Sequence, residues 1–212
     1  RLAYYLETNR KEDFEKLVNT AFYYILGLTI PAAVGLFMLS KEAILIFSGK
    51  NFMDAVPALM IKAPNIILSV INGFIAVQLF VPLNKERESL FATISGAVIN
   101  CILNYLLIPR WGAAGAALAT ICAEGCVLAI CLVYLKEIYP LKNLLNESFK
   151  YLIGSSVIVV INIVVRMCGV GTWITIMLTI ILSVIGYISV LWCLKANLLY
   201  EFKKNLPERN RK

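Results

Sequence analysis

The sequence predicts an all-α, polytopic helical membrane protein with about six transmembrane helices. Two observations carry this. Of the 212 residues 60% are hydrophobic and only 16% charged, where soluble domains carry about 25% charge. The apolar residues also come in blocks of about twenty, each long enough at 1.5 Å per residue to cross roughly 30 Å of hydrocarbon. A soluble globular domain is excluded. There are no histidines, which removes the usual acid/base at neutral pH, the common metal ligand and the hydroxyl-activating base of a serine hydrolase.

Residues 1–19 are charge-rich, with Leu2, Leu6, Phe14 and Leu17 near helical spacing. The segment is too polar to cross a bilayer and reads as an interfacial helix or linker on the cytoplasmic side. A six-span membrane bundle over 20–194 follows, with spans near 20–40, 56–81, 89–109, 112–135, 149–170 and 172–194. The tail 195–212 is polar and basic. The chain begins at Arg1 rather than an initiator methionine, and is expected to be the carboxyl-terminal part of a longer protein.

Orientation follows from the basic residues. Fifteen of the 20 lysines and arginines fall on the side that takes 1–19, 82–88, 136–150 and 195–212. The other five are Lys41, Lys50, Lys62, Arg110 and Arg166. This asymmetry places both ends of the chain in the cytoplasm, which an even number of spans requires. The net charge of +7 belongs to span flanks that face anionic lipid, so no nucleic-acid partner is implied.

Prolines interrupt the early spans. Pro31 lies in the first, between Gly27 and Gly35, and Pro57 and Pro64 lie in the second. Each removes an intrahelical hydrogen bond, so these spans should kink or break. Discontinuous helices of this sort are common in transporters that rock between two states.

Polar residues fall in stripes at helical spacing: Asn65, Ser69 and Asn72 in the second span; Thr93, Gly96, Asn100 and Asn104 in the third; Ala116, Thr120 and Glu124 in the fourth; Asn162 and Arg166 in the fifth; Thr172, Thr175, Thr179 and Ser183 in the sixth. Polar groups at this depth turn toward protein or water. Any one of them can serve as interhelical glue; five stripes together point to a polar cavity. Asn100 and Asn104 either line that path or hold the third span to its neighbour. Lys62 and Arg166 either offer positive charge to an anionic head group or snorkel to the interface. Glu124 falls at the midpoint of its span, where an isolated charge costs at least about 2.5 kcal/mol. It is therefore paired, solvated or protonated, and is the candidate coupling carboxylate.

The small-residue run 112–120, GAAGAALAT, permits close helix approach. The six cysteines show no CxxC spacing and read as small packing residues. No metal or cofactor is implied.

Four elements in residues 20–136 resemble the MOP superfamily of polysaccharide and oligosaccharide-lipid (Wzx-type) flippases, lipid II flippases and MATE drug exporters. They are IPAAVGLFML at 30–39, KEAILIFSGKNFMDAVPAL at 41–59, NCILNYLLIPRWG at 100–112 and GAAGAALATICAE at 112–124. The resemblance implies a MATE-like two-bundle fold, of which this chain looks like spans nine to fourteen and lacks the amino-terminal bundle. It also implies a bacterial cytoplasmic-membrane carrier, not an enzyme. Its partner would be an undecaprenyl-pyrophosphate-linked oligosaccharide, flipped across the bilayer for cell-surface polysaccharide assembly. A MATE-like drug or cation exporter is the nearest alternative. A membrane-bound polymerase or acyltransferase of polysaccharide assembly is the alternative of a different class.

Overall fold

In the computed structural model, residues 2–8, 10–136, 138–140 and 142–205 are described. The chain folds into helices throughout these residues. Residues 206–212 of the basic tail lie outside them, as do the side chains of Leu6 and of Lys142–Asn146.

After a short helix α1 (Leu2–Glu7), helix α2 runs unbroken over Lys11–Met38. Residues 11–19 of the charged segment are thus continuous with the first span, as the amphipathic first turns of α2. Phe14, Val18, Phe22 and Leu26 recur every four residues and are all buried, so one apolar stripe continues from the charged segment into the span. The helix also passes through Pro31 without ending there.

The loop after α2 is itself helical: α3 (Ser40–Phe47), then a 3-10 turn at Lys50–Ala55. Helix α4 (Val56–Lys62) takes Pro57 into its first turn, where the missing N–H is no loss. Pro64 then caps α5 (Asn65–Gly73), which passes into a π-helical stretch, Phe74–Phe80. The second span is accordingly broken, with a bend of 49° between Lys50–Lys62 and Asn65–Phe80. Of the two prolines in that span, Pro64 makes the break and Pro57 starts a helix.

Helix α6 covers Glu86–Leu135, 50 residues. Straight, it would extend about 75 Å, more than twice the hydrocarbon thickness. It is instead folded back at Gly112, whose φ of +52° and ψ of −128° lie where only glycine is comfortable. A Cβ on Gly115 would sit 2.5 Å from the Leu107 carbonyl oxygen, and one on Gly96 would strike Val127. The arms 86–111 and 113–135 are therefore an antiparallel pair in close contact, as the small-residue run anticipates. Among the described residues four helices are long and apolar enough to cross a membrane, and the broken pair, taken as one span, makes a fifth. The fold at Gly112 divides one of the four, giving six.

The chain closes with α7 (Lys142–Met167), α8 (Thr172–Cys193) and α9 (Asn197–Asn205). Helix α8 is apolar outside and polar inside: Ile174, Ile181, Ile185 and Ile188 are exposed, while Thr175, Thr179 and Ser183 are buried. That is the arrangement of a helix whose solvent is lipid.

Contacts between distant segments sort the helix ends. The Tyr139 hydroxyl donates to Asn19, Lys85 lies over the Tyr134 ring, and the Asn197 N–H donates to Glu147. Segments 10–19, 82–88, 134–150 and 195–205 thus meet at one end of the bundle. Burial holds the Tyr139 phenol well above its ordinary pKa. Arg166, Met38 and Glu42 meet at the opposite end. Two buried clusters fill the interior, one around Phe22, Ile75, Leu79 and Cys131, the other around Leu26, Tyr151, Tyr187 and Leu191. The cysteines depart from the packing role expected of them. Cys131 is buried, but Cys101, Cys122, Cys168 and Cys193 are exposed on the apolar surface and Cys126 is half-buried.

Candidate functional site

The broken second span and the second arm of α6 meet through two of the sequence-marked residues. Asn72, 7% exposed, donates from Nδ2 to Glu124 Oε2 at 2.6 Å and to the Glu124 carbonyl oxygen at 3.0 Å. Asn72 occupies the last turn of α5, immediately before the π-helical stretch. Glu124 is half-buried near the middle of its arm. Its carboxylate thus has a neutral donor, and none of the ion pairs among the described residues includes it.

The polar candidates Asn65, Ser69 and Thr120 lie to one side of that pair, toward the turns at Pro64 and Gly112. Asn65 donates from Nδ2 to Ser69 Oγ at 2.9 Å, one turn along its own helix. On the second arm of α6 the Thr120 hydroxyl donates to the Ala116 carbonyl oxygen at 2.9 Å. Asn104 donates to Asn100 within the first arm. The contacts of Gly115 with Leu107 and of Gly96 with Ala123 set the hairpin register, which brings Asn100 to the depth of Thr120 and Asn104 to that of Ala116. At 1.5 Å per residue these levels are about one turn and two turns from Glu124, toward Gly112. The amide oxygens Asn65 Oδ1, Asn72 Oδ1 and Asn104 Oδ1 are buried without a hydrogen-bond partner. In a low-dielectric interior each such acceptor favours a donor brought by water or by a ligand. Thr93, by contrast, is exposed and bonds to its own helix at the Ser89 carbonyl.

The two candidate cations have different settings. Arg166 Nη2 lies 2.7 Å from both Glu42 Oε2 and the Met38 carbonyl oxygen, so it joins the C-terminal end of α7 to the α2–α3 corner. Sequence spacing gives no sign of Glu42, a buried carboxylate on α3; only the fold brings it to Arg166. Lys62 ends α4 and is exposed. Among the described residues it has no ion-pair partner. Asn162 does not meet the other candidates; it is buried on α7 with the polar stripe of α8. No group of three or more His, Cys, Asp or Glu able to hold a metal occurs among the described residues. What the arrangement offers is hydrogen-bonding groups and one carboxylate at mid-membrane depth.

Comparison with known proteins agrees with this architecture. A probable low-salt glycan biosynthesis flippase, Agl15, from Haloferax volcanii is 33% identical over 112 residues, 53% of this chain and 24% of that protein. A probable multidrug resistance protein, NorM, from Bacillus cereus is 27% identical over 161 residues, 68% of this chain and 34% of that protein. The solved structure of a lipid II flippase MurJ in an inward closed conformation superposes with a TM-score of 0.72 at 20% identity. It covers 89% of this chain and 40% of that one, and shows the fold. The chain therefore spans between a quarter and two fifths of the length of these relatives. The pattern of the lipid II flippase MurJ family matches residues 1–191, nearly the whole membrane region, and the chain belongs to that family.

Proposed function

We propose that the whole protein is a flippase that carries an undecaprenyl-pyrophosphate-linked oligosaccharide across the cytoplasmic membrane of a bacterium, for assembly of a cell-surface polysaccharide. Family membership over residues 1–191 is the observation that carries the reading. The physical demand is specific. A sugar head group cannot enter hydrocarbon without losing its hydrogen bonds to water, at several kcal/mol for each unreplaced bond. The carrier must supply replacement donors and acceptors along a path while the lipid tail stays in the bilayer. Asn65, Asn72, Asn100, Asn104, Thr120 and Glu124 supply such groups on the broken span and the α6 hairpin, and Lys62 offers positive charge to the pyrophosphate. An amino-terminal bundle, outside this chain, forms the other wall, and alternating access between the two bundles moves the path from one face to the other. Both ends of this chain lie in the cytoplasm.

The full-length protein reconstituted in vesicles tests this. Movement of a fluorescent undecaprenyl-pyrophosphate oligosaccharide to the far leaflet is expected, without transfer of its sugar to an acceptor. The NorM resemblance and the mid-membrane Glu124 favour a second reading, export of a cationic drug. Efflux of such a cation with no lipid movement would establish it in place of the first.

A further inference from the structure

We propose that the polar interior around Asn162, where α7 packs on α2 and α8, is a binding site for ordered water within the membrane. The site includes neither Asn72 nor Glu124, and it stands independently of the transport reading.

Four polar side chains in this interior are more than nine-tenths buried: Asn162 is 0% exposed, Ser155 and Thr179 1%, and Ser183 6%. None has a hydrogen-bond partner, and Asn162 lacks one at both its amide nitrogen and its amide oxygen. Helix register sets their depths. A Cβ on Gly154 would meet Tyr187 and Leu191, and one on Gly186 would meet Val157 and Ile161. The helices are therefore antiparallel, with Asn162 level with Thr179 and Ser183, and Ser155 about two turns away, level with Tyr187. The depth is right for the bilayer interior, since Ser183 lies midway along α8.

The unpaired state is unusual for this protein. A buried helical hydroxyl commonly bonds the carbonyl four residues back. Thr29 bonds Ile25 and Ser40 bonds Leu36 in this way. Ser155, Thr179 and Ser183 do not, so their hydrogens and lone pairs remain available in this interior. The chemistry of the group then selects the ligand. Asn162 presents two unpaired N–H donors beside its acceptor, and each hydroxyl both gives and takes. A bare monovalent cation satisfies the oxygens and leaves the amide N–H groups unanswered, whereas water donates and accepts at once. Helices α7 and α8 are unbroken here, so they free no backbone carbonyls to complete a cation's shell. Buried water commonly makes about three hydrogen bonds to otherwise unsatisfied groups, and this constellation provides that number.

Radiolytic hydroxyl labelling of the full-length protein in lipid nanodiscs, in H2(18)O and read by mass spectrometry, tests the proposal. Water held there generates radicals in place, so the buried Ile158 and Tyr187 that flank it should be oxidised. The doubly substituted Asn162→Leu, Thr179→Val protein should lose that labelling several-fold, with the signal at lipid-facing Met177 unchanged. Unlabelled Ile158 and Tyr187 in the wild-type protein would overturn the proposal, and this arm needs no variant to fold. Protection of both residues by sodium, but not by choline at equal ionic strength, would also overturn it by showing a cation site.

Discussion

Asn72 Nδ2 stands 2.6 Å from Glu124 Oε2, joining the broken second span to the second arm of α6 across 52 residues of sequence. Asn72→Ala removes the observed donor to a carboxylate in the membrane interior. A destabilisation of about 1 to 3 kcal/mol is expected, read as a lower melting temperature of the detergent-solubilised full-length protein. Glu124→Gln keeps shape and hydrogen-bonding capacity but cannot titrate. If Glu124 exchanges a proton during the transport cycle, this variant should fold normally and lose the pH dependence of transport. An unchanged rate and pH profile would reject coupling through this residue.

Asn100 and Asn104 bond to each other along one helix, so neither is seen bonding a neighbouring span. Their replacement by alanine should cost little stability, on the order of 0.6 kcal/mol for the pair's bond. Transport should fall much further than the amount of folded protein. Proportional loss of both would instead assign them to helix packing.

Arg166 and Glu42 form an ion pair with an 11% exposed carboxylate side chain and a 38% exposed guanidinium. Arg166→Gln leaves the less exposed partner uncompensated and is expected to cost about 1 to 3 kcal/mol. Adding Glu42→Gln should restore part of that loss, a coupling that a double-mutant cycle on thermal stability measures directly.

Gly115 touches the backbone of the opposite arm, with the Leu107 carbonyl oxygen 2.5 Å from where its Cβ would stand. Backbone cannot swing aside as a side chain does. Gly115→Val should therefore exceed the 1 to 3 kcal/mol usual for overpacking and deplete folded protein in the membrane. Gly125→Ala on the same arm, where a Cβ meets nothing within 4 Å, should be tolerated.

Topology has its own check. Reporter fusions after Leu194 and within 82–88 should read cytoplasmic, and fusions within 41–55 should read external. An external signal after Leu194 would contradict the crossing number derived from the fold at Gly112.

Much of this was legible in the sequence because lipid imposes a simple rule on composition. The span positions, the break at Pro64, the close approach at 112–120 and the buried polar face of Thr175, Thr179 and Ser183 all follow from hydropathy, proline chemistry and helical spacing. Partners far apart in sequence were not legible. Spacing marked Asn72, Glu124 and Arg166 as polar residues on helix faces, but only the packing of helices brings Asn72 to Glu124 and Arg166 to Glu42. Helix α2 began earlier than hydropathy suggests because its charged turns keep an apolar stripe that a span-length average dilutes. The exposed cysteines show the same limit, since small apolar residues suit a lipid-facing surface as well as a core.

The turn at Gly112 has a mechanical meaning. With a single residue between its arms, and with Gly115 and Gly96 locked against the facing helix, the hairpin 86–135 has no slack. In the proposed transport cycle it moves as one lever. Asn100, Asn104, Thr120 and Glu124 then keep their mutual spacing throughout any stroke, while Asn72 rides on a span jointed at Pro64. The bond between Asn72 and Glu124 is thus a catch between a rigid part and a flexible one, and its strength sets how readily the two part company.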